Sequence, residues 1–275
     1  MKKYVNLFVF VFMVGTCFSQ GKAQTKSAVS YKNPVVDIAM PDPTVIKAAD
    51  GYFYVYATES TRNVPIMKSK DLVQWTYCNT AFTNKTRPRF EPKAGIWAPD
   101  INYINNKYVL YYAMSVWGGE QTCGIGVATA DSPQGPFTDH GKMFRSNEIG
   151  VQNSIDPSFL QYEGRNYLVW GSFRGIYVIE LTEDGLSLKP GAEKKRIAGT
   201  AFEAAYIHKH GDYYYMFASI GSCCEGIRST YKVVVGRSKK VWGPYKDKSG
   251  KPMLKNGYSL VIGANDHFVG NGHGS

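Results

Sequence analysis

After its first twenty residues the sequence contains no long apolar run, and no amphipathic stretch of ten or more residues with helical spacing. The first absence excludes a later membrane-spanning helix. The second disfavours α/β barrels and doubly wound sheets, which place a helix after almost every strand. Cysteine is scarce, with five in 275 residues. They are Cys17, Cys78, Cys123 and the adjacent pair Cys223-Cys224, and they show none of the Cys/His spacing that holds zinc. Basic residues outnumber acidic ones, 32 to 22, for a formal charge of +10. They are scattered, however, and the densest groups, Lys85-Thr86-Arg87-Pro88-Arg89 and Lys194-Lys195-Arg196, stand beside no nucleic-acid motif. Both groups read as solvated surface, and no nucleic-acid partner is expected.

The one apolar run sits at the start. Met1-Lys2-Lys3, apolar residues from Val5 to Gly15 and small or polar residues through Gln20 have the layout of a secretory signal, and the run is too short to cross a bilayer. Residues 1–23 read as a signal peptide, 24–32 as a short linker and 33–275 as the catalytic domain. A cut there removes Lys2, Lys3 and Lys22 and leaves a charge of +7. A secreted or periplasmic monomer is expected, with lipid attachment through Cys17 as a variant of the same export route. The four remaining cysteines suit an oxidising compartment. A bond between Cys223 and Cys224 requires a strained eight-membered ring; the plain alternative is two thiols, one packed inward and one outward.

Aromatic residues are abundant: 20 Tyr, 14 Phe and 5 Trp, or 14% of the chain. They recur in four runs, Tyr52-Phe53-Tyr54-Val55-Tyr56-Ala57, Tyr108-Val109-Leu110-Tyr111-Tyr112-Ala113, Tyr167-Leu168-Val169-Trp170-Gly171 and Tyr213-Tyr214-Tyr215-Met216-Phe217-Ala218. The small residues that close these runs lie 56, 58 and 47 positions apart, a period of propeller blades. A shorter apolar stretch precedes each run, and two more strand candidates follow, for example Gly124 to Ala130 then Phe137, and Tyr231 to Val235 then Tyr245. Tyr258-Ser259-Leu260-Val261-Ile262 reads as the opening of a fifth unit. The expected fold is an all-β, five-bladed β-propeller whose fifth blade is truncated at the C-terminus, leaving an exposed sheet edge.

Three acids stand at the entrances of separate units: Asp42 in Met-Pro-Asp-Pro-Thr, Asp156 in Ser-Ile-Asp-Pro-Ser and Glu203 in Ala-Phe-Glu-Ala-Ala-Tyr. Proline stiffens its own φ and pushes the residue before it toward extended geometry. A lone Asp-Pro is usually a turn. Three acids at a matching phase would converge on one mouth of the central channel, and paired carboxylates with separated pKa values are the equipment for hydrolysing a glycosidic bond.

Trp97-Ala98-Pro99-Asp100, Glu203-Ala204-Ala205-Tyr206, Gly221-Ser222-Cys223-Cys224-Glu225-Gly226 with Ser229-Thr230-Tyr231, Val235-Gly236-Arg237-Ser238, Gly243-Pro244-Tyr245 and Gly270-Asn271-Gly272-His273 join the two Asp-Pro motifs in a pattern that resembles glycoside hydrolase family 43. Within the family it is most similar to arabinan endo-1,5-α-L-arabinanases. The resemblance implies an exported inverting hydrolase of α-1,5-L-arabinofuranosyl links. It implies Asp42 as general base, Glu203 as general acid and Asp156 as the carboxylate that orients the acid and raises its pKa. For inversion, the Asp42 and Glu203 carboxyls should stand roughly 6.5 to 9.5 Å apart. Trp97 corresponds to a tryptophan of the substrate cleft, with Trp117 and Phe173 as further candidates for its rim. His273 corresponds to a channel histidine near a hydrated metal ion, often calcium, contacted through water; no cofactor is required for the chemistry. Trp75 and Trp242 read as packing residues, and His140, His208, His210 and His267 as surface histidines. The alternatives are an exo-acting α-L-arabinofuranosidase or β-xylosidase of the same family, or a carbohydrate-binding propeller without catalysis. Ala205 departs from the family pattern, which commonly has proline there.

Overall fold

Each aromatic run forms the second strand of a four-stranded antiparallel sheet in the computed structural model, which describes residues 30–274. The proposed signal peptide, Cys17 and linker residues 24–29 lie outside the described residues. The first sheet contains β1 (Thr44–Lys47), β2 (Phe53–Tyr56), β3 (Pro65–Ser69) and β4 (Trp75–Thr80). The second contains β5 (Gly95–Ile104), β6 (Lys107–Ser115), β7 (Gly124–Ala130) and β8 (Thr138–Arg145). The third contains β9 (Ser158–Tyr162), β10 (Arg165–Trp170), β11 (Ile176–Glu180) and β12 (Lys195–Ala198). The fourth contains β13 (Glu203–His210), β14 (Tyr213–Ile220), β15 (Lys232–Ser238) and β16 (Ser259–Ile262). Every sheet is paired in simple chain order, the meander of a propeller blade.

The runs are apolar throughout because a blade's middle strand is covered on both faces. Along β6, Leu110 and Tyr112 enter the core shared with the first blade, whereas Val109 and Tyr111 enter the core shared with the third. Leu168 and Trp170 face back into that same core, and Val169 points on toward the fourth blade. Successive residues of one strand therefore fill two inter-blade layers, and each fully buried large side chain contributes roughly 1.5–3 kcal/mol. The buried aromatic tips are satisfied: the Tyr111 hydroxyl donates to the Gly185 carbonyl at 2.8 Å, and Trp170 Nε1 donates to Ser154 Oγ at 3.1 Å. Trp242 packs across the third and fourth blades against Tyr167, with ring centroids 4.6 Å apart.

Three expectations change. Ser259–Ile262 does not open a fifth blade; it pairs with β15, Val234 opposite Leu260 and Val235 opposite Ser259, and completes the fourth. Tyr245, expected as that outer strand, is instead fully buried in a long connection whose Lys246 bridges to Arg237. Four blades are seen among the described residues, and no fifth. Arg87, grouped above with solvated cations, is buried: its guanidinium pairs with Glu59 and donates to the Ala94 carbonyl at 2.8 Å. Of the two states left open for the adjacent cysteines the structure has the disulfide, Cys223–Cys224, while Cys78 and Cys123 are free.

Candidate active site

The inner strands β1, β5, β9 and β13 pack in succession around the channel, and each has one residue in the left-handed region just before it or within its first four residues. These are Asp42 (φ 50°), Ala98 (φ 41°), Asp156 (φ 57°) and Ala204 (φ 51°). Non-glycine residues rarely adopt this conformation, Asp more readily than most, and such strain gathers at functional sites. Asp42 and Asp156 thus occupy the same phase in blades one and three. Glu203 does not share it. It is the residue before Ala204, in phase with Trp97 before Ala98, and the ladders shift register at both places, between Trp97 and Asp100 and between Glu203 and Tyr206. A bulge re-aims the side chain it carries, so the fourth blade brings its carboxylate to the same mouth from one residue upstream.

All three acids line a single cavity of about 480 Å³ together with Trp97, Trp117, Phe173 and His273. The cavity is also bordered by Thr58, Ser172, Tyr231 and the Cys223–Cys224 disulfide. Asp42 is the more open acid, its side chain 28% exposed. Its Oδ2 accepts from Thr58 Oγ1 at 2.5 Å, and its Oδ1 lies 3.1 Å from His273 Nδ1. Thr58 Oγ1 in turn accepts from the Ala98 backbone N–H at 2.7 Å, which ties the first blade to the second. Glu203 is buried at 7% exposure, and its Oε2 accepts from Ser172 Oγ at 2.6 Å. Asp156 is equally enclosed, and its Oδ2 accepts from the Ala204 N–H at 3.2 Å, linking the third blade to the fourth.

Burial, followed by the negative charges of Glu203 and Asp42, pushes the Asp156 carboxyl well above the usual carboxylate range. The Tyr231 phenol is also raised, by burial, by the charges of Glu203 and Asp156 and by its hydrogen bond to Glu203, so it stays neutral. Gly272 makes room for that ring: a Cβ there would stand 2.1 Å from Tyr231 Cδ1. His273 reaches Asp42 from a segment anchored to the fourth blade, where Asn271 bridges to Lys232 and the His273 N–H donates to Ser219 Oγ at 2.7 Å.

The aromatic wall is formed by Trp97 and Trp117, whose ring centroids are 5.3 Å apart at a tilt of 48°. Trp117 is 77% exposed, an unusual setting for so large a ring unless it meets a ligand. Phe173 lies at the rim, its N–H donating to the Phe202 carbonyl at 2.9 Å. Beneath Asp42's side of the cleft, Glu59 accepts from the Asn63 and Ile96 N–H groups at 2.8 and 3.0 Å and pairs with Arg87. Burial works against its charge, but Arg87 and these two N–H groups prevail and hold its pKa low. The residues around His273 do not fit a protein-ligated calcium. Its Nδ1 faces Asp42, no three of His, Cys, Asp and Glu gather as a cage among the described residues, and calcium takes six to eight oxygens. The chemistry is accordingly derived from the carboxylates alone.

Residues 31–275 match the family model of the glycosyl hydrolases family 43. The chain belongs to this family. It is a glycoside hydrolase, and its relatives share the propeller. It is 38% identical over 245 residues to an extracellular endo-α-(1→5)-L-arabinanase of Bacillus subtilis, covering 84% of this chain and 75% of that protein. It is 35% identical over 262 residues to an extracellular exo-α-(1→5)-L-arabinofuranosidase of Cellvibrio japonicus, covering 85% and 74%. Among solved structures, the α-L-arabinanase of Cellvibrio cellulosa superposes with a TM-score of 0.78 at 34% identity over 86% of this chain and 82% of that one, and it has also been solved with arabinohexaose.

Thr58, Ser172 and the Glu59–Arg87 pair were not singled out from the sequence. The two hydroxyls did carry a signal: Thr58 and Ser172 each directly follow the small residue that closes an aromatic run, as does Ser219. Glu59 and Arg87 carried none, being 28 residues apart and joined only by the fold.

Proposed function

We propose that this family member is an exported, inverting hydrolase that cleaves internal α-1,5-L-arabinofuranosyl links of arabinan. The observation that carries this reading is the convergence of Asp42, Asp156 and Glu203 with two tryptophans on one open cleft. Asp42, solvent-facing and oriented by Thr58 and His273, takes a proton from the attacking water as its oxygen bonds the anomeric carbon. Glu203 gives a proton to the leaving glycosidic oxygen as the old C–O bond breaks, and solvent later returns the proton from Asp42 to the acid. Asp156, whose Oδ2 accepts from the Ala204 N–H, holds the backbone next to Glu203 and so orients the acid. Trp97 and Trp117 present apolar faces to furanose rings. Two relatives named as extracellular support export by the N-terminal leader, and no helix among the described residues is long and apolar enough to cross a membrane.

An exo-acting arabinofuranosidase is the second reading, favoured by the Cellvibrio japonicus relative. Linear α-1,5-arabinan followed by NMR and product sizing separates the two. Short oligosaccharides of β configuration at the new reducing end are expected. Single arabinoses alone would select the exo reading, α-configured products would refute inversion, and binding without turnover, unchanged in Glu203→Ala, would leave a binding propeller. In Glu203→Gln, kcat should fall by about 10²–10⁴ with KM close to unchanged.

A further inference from the structure

At the opposite end of the fourth blade from the carboxylates lies a second groove, of about 490 Å³, bordered by Tyr213, Arg237, Lys239, Lys240, Lys246 and Lys248. Tyr213 starts β14, whereas Ser219, opposite Glu203, ends it. Six residues of strand at about 3.3 Å each put roughly 20 Å between the groove and the cleft. All five cations are exposed, and none forms an ion pair with a carboxylate among the described residues. The single acid on the rim, Asp247, is already engaged: its Oδ1 accepts from Ser249 Oγ at 2.7 Å and from the Ser249 and Lys251 N–H groups at 2.9 Å. Arg237 and Lys239 sit over the Tyr213 ring, 4.5 and 5.8 Å from its centroid.

Five unpaired like charges around one concavity repel each other, and an anion relieves that repulsion. Arabinan is neutral and gains nothing from such a groove. We propose that it binds an acidic polysaccharide, a uronate-bearing chain whose regularly spaced carboxylates meet several of these cations at once, and so holds the enzyme on a charged polymer while the cleft works on neutral arabinan. A chain of carboxylates fits better than nucleic acid because Arg237 and Lys239 cover the Tyr213 ring that would otherwise stack bases. Choosing a polysaccharide among polyanions rests on the arabinan reading; the groove and its charge do not.

The test is native gel electrophoresis of the whole protein through gels containing polygalacturonate, neutral linear arabinan or duplex DNA. Polygalacturonate should retard the protein at low salt. Lys239→Glu with Lys246→Glu should weaken that retardation by about tenfold or more, and salt near 0.5 M should abolish it, because exposed charges are screened. The same double variant should hydrolyse arabinohexaose as the parent does, which also verifies its fold. No retardation by polygalacturonate, retardation that the double variant retains, or equal retardation by DNA would overturn the proposal. Failure to hydrolyse arabinohexaose in the parent would instead overturn the arabinan reading and leave the retardation result standing.

Discussion

Asp100 offers a quantitative test of how closed the channel is beneath the site. It lies on β5, buried at 7% exposure, and its Oδ2 accepts from the Phe159 N–H at 2.7 Å and from Asn102 Nδ2 at 2.6 Å. Burial outweighs these two bonds and raises its carboxyl from 3.8 to about 7. In the unfolded chain the group ionises near 3.8; in the fold it keeps its proton to about 7. Between these limits the folded state binds the extra proton, so stability falls as pH rises. The contribution of Asp100 is complete below about pH 4, declines through neutrality and is lost above pH 7. At about 1.4 kcal/mol for each tenfold difference in proton affinity, the full span is worth about 4 kcal/mol. The side-chain amide introduced by Asp100→Asn would still accept from Phe159 but would not titrate. Urea unfolding of the parent and Asp100→Asn from pH 4.5 to 8 should therefore show the variant gaining on the parent by roughly 3 kcal/mol across the range. Distant groups titrate alike in both proteins and cancel. A gap that stays constant with pH would mean that Asp100 is ionised or hydrated in the fold, and the channel wetter than its geometry indicates.

Arg87→Met should cost about 3–5 kcal/mol in chemical denaturation, because it leaves Glu59 buried and unpaired under the cleft; a loss below about 1 kcal/mol would show that water reaches Glu59. Trp117→Ala should raise KM for arabinohexaose by about two- to tenfold with kcat little changed, the value of a stacking face at a subsite away from the reacting bond. An equal fall in kcat would place that ring on the sugar undergoing cleavage. Gly272→Ala forces the Tyr231 ring or the segment before His273 to move. It should lower both kcat and stability, the latter by about 1–3 kcal/mol, and a crystal structure in which Tyr231 and His273 keep their places would contradict this account.

The blades were legible from the sequence because a strand buried on both faces cannot alternate, so each middle strand stands out as an unbroken aromatic run. The outermost strands were less legible. β16 has Leu260, Val261 and Ile262 all more than 40% exposed, and a short apolar segment that packs on little carries no face to read. Placed after a long connection that buries Tyr245, it resembled the beginning of a blade rather than the end of one. The site shows a subtler limit. Its acids were found by residue type beside proline, and that criterion worked for Asp42 and Asp156, which occupy the left-handed position themselves. Glu203 reaches the same mouth by a different device, because Ala204 takes the strained position and the bulge turns the preceding side chain inward. Trp97 does the same ahead of Ala98. The pairing of a catalytic-type acid with a stacking aromatic at one phase, and of two aspartates at the next, follows from backbone conformation that residue identity alone does not report. The hydroxyls of Thr58, Ser172 and Ser219 complete the pattern: in three of the four blades the residue after the small residue that closes the run stands at the mouth, where it holds Asp42, Glu203 or the His273 backbone, whereas in the second blade that residue is the buried Met114. Replacing Thr58 or Ser172 by valine or alanine, respectively, therefore tests positioning rather than chemistry, since neither group exchanges a proton with substrate.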